Sequence, residues 1–169
     1  GGHSLAILER GGHVTGIDRD RGAVEHAAGR LGRYGDRFRA AVSRFSELRK
    51  IIGGDAGSID GIIMDLGVSS RMIDDASRGF SYRHDGPLLM TMDRDPGETA
   101  FEVVNTAGER DLARIFRTFG EERRAAAIAR AIISARAASP IETTTELADI
   151  VERSVGGPAP QKSKSRVFQ

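Results

Sequence analysis

Up to about residue 65 the chain alternates strand-like and helix-like segments, and this alternation does most to narrow the folds open to it. In order come "SLAILERG" (helix), "HVTGID" (strand), "RGAVEHAAGRLGRY" (helix), "FRAAVS" (strand), "FSELRKII" (helix) and "IDGIIMD" (strand). Strands separated by helices pair in parallel, with helices over the sheet faces, so the expected class is α/β. From about 66 to 99 the text turns loop-like, rich in Gly, Ser, Asp and Pro. Consecutive helices follow. "ERDLARIFRTFG" and "EERRAAAIARAIISARA" carry apolar residues at three and four spacing, and Pro140 closes the second. "TTTELADIVERSV" opens with hydroxyl residues suited to an N-cap, whereas "GGPAPQKSKS" reads as a linker or mobile loop.

Composition removes several classes. The 169 residues contain no Cys, which rules out a disulfide framework or thiolate metal site and suits a reducing cytoplasm. Four His without metal-ligand spacing give no reason to expect a metal. No apolar stretch approaches the roughly 20 residues of a membrane span. The opening "GGHSLAILERGG" has no initiating Met, basic leader or cleavage site and reads as the interior of a longer chain. Charge is nearly balanced at +1. Arg110, Arg114 and Arg117 nonetheless share one helical face, either a solvated face or an RNA-facing one.

Three features point to a nucleotide-type ligand. Gly1 and Gly2 precede a helix whose free N–H groups and positive end attract an anion. Asp18 ends the strand "HVTGID", where a carboxylate can accept hydrogen bonds from both hydroxyls of a ribose. It could equally cap the following helix. Asp65 ends the run Ile62-Ile63-Met64; a carboxylate there needs a partner or an opening onto a site. In open parallel sheets, ligands sit beyond the carboxyl ends of strands, so Asp18 and Asp65 are expected to face one crevice.

The strings "GGHS" (1–4), "GIDRD" (16–20), "FSEL" (45–48), "DGIIMDLGVSS" (60–70), "RGFSYRHDGPL" (78–88), "GEER" (120–123), "IETTTELA" (141–148) and "RVFQ" (166–169) resemble, in this order, the RsmH (MraW) family. Its members are S-adenosylmethionine-dependent methyltransferases that modify the exocyclic N4 amine of a cytidine in small-subunit (16S) ribosomal RNA near the decoding centre. The resemblance implies a Rossmann-like methyltransferase sheet, incomplete here, with an α-helical insertion domain. The division expected is a partial cofactor-binding domain with substrate loop at 1–99, the insertion at 100–155, and a linker returning to the first domain at 156–169. It also implies a strand ahead of Gly1, lying between the strands that end at Asp18 and Asp65, and further strands after Gln169. Without them the chain is expected to be poorly stable and inactive by itself.

At matching positions the resemblance assigns roles. Gly1, Gly2 and His3 form the turn around the amino-acid end of S-adenosylmethionine, Asp18 holds the ribose and Phe45 lies against the adenine. Asp65 closes the pocket and, with Asp85 as second choice, contacts the target amine; Asp85 could instead be a turn-forming residue before Gly86-Pro87. The chain departs from the family pattern at Arg71 and Met72, which stand for a Pro and a Gln, and at Leu89 and Thr91, which stand for an Asp and an Arg. Two other classes share some of these features. An NAD-type oxidoreductase domain would use Asp18 but needs a GxGxxG turn that is absent, and a non-enzymatic RNA-binding helical module would explain only the Arg-bearing helices.

Overall fold

A computed structural model describes residues 1–92, 98–156 and 160–169, without the side chains of Asp55 and Ala56. The expected loop residues 93–97 and 157–159 lie outside the described part. The chain divides into two compact units: residues 1–66 with Met92 form the first, and 67–91 with the chain from 98 onward form the second. By this division residues 67–91 cluster with the helices that follow.

In the first unit the alternation is realised up to β2. Helix α1 (Gly2–Glu9) leads to β1 (Val14–Asp18), α2 (Arg21–Leu31) and β2 (Phe38–Val42). The strands pair in parallel, in a register that sets Val14 against Phe38 and Asp18 against Val42. Asp20 caps α2 by accepting from the N–H groups of Gly22 and Ala23. A 3-10 turn at Phe45–Glu47 precedes α3 (Leu48–Ile52). The expected strand "IDGIIMD" does not form: the described sheet has two strands, and Ile62, Ile63 and Met64 are 62–67% exposed. The reason is physical. A strand exists through its ladder, and no strand among the described residues lies beside 59–65 to supply one.

The second unit opens with α4 (Ser70–Asp74), capped by Ser69, and the loop of residues 75–91. Helices α5 (Ala100–Thr106), α6 (Glu109–Thr118), α7 (Ala125–Arg136), α8 (Thr144–Val155) and α9 (Pro160–Val167) follow. Capping boxes, Thr99 with Glu102 and Thr143 with Glu146, start α5 and α8. One core gathers Leu88 from the loop, Leu112 and Phe116 of α6, Ile128 and Ile132 of α7, Leu147 and Val151 of α8, and Phe168. Helix α9 corrects the expected linker. Its Lys and Ser residues read as solvated, yet Lys164 is buried against Glu152 of α8 (Nζ to Oε2, 2.6 Å), and Phe168 anchors the end in the core. No helix among the described residues is long and apolar enough to cross a membrane.

Candidate functional site

The first unit gathers five of the residues read as cofactor-binding, plus Asp65. Gly1 caps α1 without a side-chain acceptor, leaving the first N–H groups of that helix available to an outside anion. A Cβ on Gly2 would meet nothing within 4 Å, so open space borders that terminus. His3, in the first turn, brings Nδ1 to 3.6 Å from Asp65 Oδ2, and both side chains are well exposed. The segment 60–66, though not a strand, therefore delivers its carboxylate to the N-terminal end of α1. Here a helix end that favours anions, an imidazole and a carboxylate stand together.

Asp18 and Phe45 share no hydrogen bond or ion pair with that couple. The Asp20 N–H donates to Asp18 Oδ1 at 2.9 Å, and the Ser43 N–H donates to the Asp18 carbonyl at 2.9 Å, fixing the turn at the carboxyl ends of β1 and β2. The helix-capping alternative for Asp18 thus falls to Asp20, and Asp18 stands exposed two residues earlier, at the end of β1. Phe45 is 67% exposed, its ring free to lie against a flat partner.

Asp85 belongs to the second unit and is bound to α8. Its Oδ1 accepts from the Thr145 hydroxyl at 2.5 Å and from the Thr145 N–H at 3.4 Å. Hydrogen bonds from the Thr145 and Thr143 side chains hold its carboxyl below the ordinary Asp value. Thr144, fully buried, accepts from the Gly86 N–H at 3.2 Å and donates to the His84 carbonyl at 3.3 Å. These three Thr residues escaped sequence reasoning as site builders because they act across about sixty positions of chain. Met72, which departs from the family pattern, is buried at 6% exposure. Among the described residues no group of three or more His, Asp or Glu could hold a metal ion.

Comparison with known proteins bears on these arrangements. The chain matches the model of the MraW methylase family over residues 1–169. It is 47% identical to "Ribosomal RNA small subunit methyltransferase H" of Carboxydothermus hydrogenoformans, over 100% of this chain and 56% of the relative. It is 48% identical to the protein of that name from Cereibacter sphaeroides (95% of this chain, 47% of the relative) and 49% identical to that from Rhodopseudomonas palustris (92% and 47%). The chain spans about half the length of the curated relatives it matches. A match that runs the length of the chain shows that the chain belongs to the MraW methylase family.

Proposed function

We propose that the protein to which these residues belong transfers a methyl group from S-adenosylmethionine to the exocyclic N4 amine of a cytidine in small-subunit ribosomal RNA, near the decoding centre. The observation that carries this reading is the His3–Asp65 couple at the start of α1, in the same compact unit as Asp18 and Phe45. The donor set suits the cofactor. Free N–H groups of α1 and Gly1-Gly2 would take its carboxylate, Asp18 its ribose hydroxyls, and Phe45 its adenine. When bound, S-adenosylmethionine supplies the electrophilic methyl. A cytosine amine is a poor nucleophile, because its lone pair is delocalised into the ring. Asp65, 3.6 Å from His3, would accept a hydrogen bond from the amine, favour a pyramidal nitrogen and ease proton loss. Holding amine and methyl in line contributes much of the remaining rate. Asp85, in the second unit, stands as the alternative to Asp65 for this contact: hydrogen bonds from the Thr145 and Thr143 side chains hold its carboxyl below the ordinary Asp value, and its tie to Thr145 fixes its position within that unit. The cytoplasm is the compartment that fits this substrate.

Titration of the full-length protein with S-adenosylmethionine tests the assignment. Asp18→Ala should weaken binding about ten- to a hundredfold, since hydrogen bonds to a charged group contribute about 1.5–3 kcal/mol and each 1.4 kcal/mol is a decade. NAD should not bind. Unchanged affinity in the variant would remove Asp18 from the site.

A further inference from the structure

The loop "RGFSYRHDGPL" is fastened on both sides of two residues whose side chains make no hydrogen bond or ion pair among the described residues. On one side Tyr82 is held three ways by the chain end. Its hydroxyl shares a hydrogen bond of 2.8 Å with Ser165 Oγ, Lys164 Nζ lies 5.6 Å from its ring centroid, and Phe168 meets the ring edge-on at 5.2 Å. On the other side Asp85 is bound to Thr145, the Thr144 N–H donates to the Gly86 carbonyl at 2.9 Å, and the Leu88 N–H donates to the Glu142 carbonyl at 3.0 Å. Between these anchors even the backbone is fixed. The Arg83 N–H donates to Ser81 Oγ at 3.2 Å, and the His84 carbonyl accepts from Thr144. Gly86 packs so closely that a Cβ there would run into the Ala76 carbonyl oxygen.

Arg83 and His84 are nevertheless exposed, and among the described residues neither side chain makes a hydrogen bond or ion pair. The neighbouring Asp85 makes no ion pair with either among the described residues; its carboxylate accepts from Thr145 in the first turn of α8. A loop that gives up this much conformational freedom while displaying a guanidinium and an imidazole at its tip is preorganised for an anion.

From this juxtaposition we infer that Arg83 and His84 bind the phosphate backbone of the RNA substrate, Arg83 as the charged contact and His84 as a second N–H donor. The inference rests on the RNA-substrate reading above and adds to it the residues that grip the strand. Guanidinium geometry matches two phosphate oxygens at once, whereas lysine would act only as a point charge. The rigid backbone determines where that contact can form, so the pair positions the strand without reading its sequence.

The test measures binding of small-subunit ribosomal RNA to the full-length protein across a salt series. Arg83→Ala should weaken binding about ten- to a hundredfold and lower the log–log salt slope by about 0.7, the value of one single-strand phosphate contact. Arg83→Lys should keep the slope and recover only part of the affinity. Tyr82→Phe, which loosens one anchor and leaves both tip side chains, should weaken binding with the slope unchanged. S-adenosylmethionine affinity and thermal midpoint should stay at parental values in the Arg83 variants. If Arg83→Ala leaves both RNA affinity and slope unchanged, or instead weakens the cofactor, the inference is overturned while the methyltransferase reading stands. A parent protein that binds no ribosomal RNA overturns both.

Discussion

Glu122 shows how much one side chain can be asked to hold. It is 2% exposed, with its N–H donating to the Phe116 carbonyl at 2.9 Å and its Oε1 accepting from the Arg124 N–H at 2.7 Å. Oε2 has no hydrogen bond among the described residues and faces Arg166 Nη1 of α9 at 3.8 Å. The corner around it is tight: Glu121 sits at φ +52, and a Cβ on Gly120 would strike the Arg166 carbonyl. Glu122 thus joins the turn between α6 and α7 to α9, the helix that holds Tyr82. Removing one partner of a buried pair costs about 3–5 kcal/mol, and Arg166, partly exposed, should place Glu122→Ala near about 3 kcal/mol. Glu122→Gln keeps the acceptor for Arg124 and should lose only about 1 kcal/mol. Denaturant midpoints of the two variants check this. Equal, parental midpoints would mean that the ion pair contributes nothing. The sequence displayed "GEER" but gave no hint that the second Glu is buried, because its partner lies 44 positions away.

At the scale of elements, the N-terminal end of α8 is where chain order and function meet. Its capping box closes the helix on itself, and its next two Thr residues reach outward to Asp85, His84 and Gly86. The tie should show a definite pH dependence. A carboxylate whose folded pKa lies below its unfolded value contributes stability above the unfolded value and loses it as pH falls through the folded one. Asp85 is shifted down from 3.8, so its contribution should be intact at neutral pH and fade only below that value. The stability difference between parent and Asp85→Asn should therefore be flat from pH 7 to about pH 5 and shrink under about pH 4. Asp75, also lowered by its bond to Ser77, is present in both proteins and cancels. A difference that instead shrinks between pH 7 and 5 would assign the tie to another group. The periodic helices α6, α7 and α8 were readable beforehand, since an apolar stripe is carried within each segment. The segment 59–65 and helix α9 were not. A strand depends on a neighbour that a local pattern cannot show, and the Lys/Ser composition of α9 hides a buried Lys164–Glu152 pair.

Across the whole molecule the two units differ in what sustains them. The second buries a continuous set of side chains from α5 to Phe168, each fully buried aliphatic contributing about 1.5–3 kcal/mol. The first buries only Leu8 and Leu31 among its described residues, and every residue of β1 and β2 is half-buried or exposed. Val42, Phe45, Ile62, Ile63, Met64 and Leu66 also face solvent there. Position along the chain did not tell how little packing this segment supplies to hold the candidate cofactor residues. Hydrogen exchange on the 169-residue chain makes the contrast measurable. Amides in the middle of α7 and α8 should open only with global unfolding of their unit, while those of β1 and β2 should exchange through low-energy local openings, faster by about a hundredfold or more. The Ser43 and Asp20 amides, which form the turn that holds Asp18, should follow the strands. S-adenosylhomocysteine at saturating concentration should slow the first unit selectively, by mass action on its folded form, if these residues bind it without the rest of a longer protein. Protection of β1 and β2 equal to that of α7, without ligand, would show that two parallel strands and two buried leucines suffice, and would overturn the account of this unit as marginal.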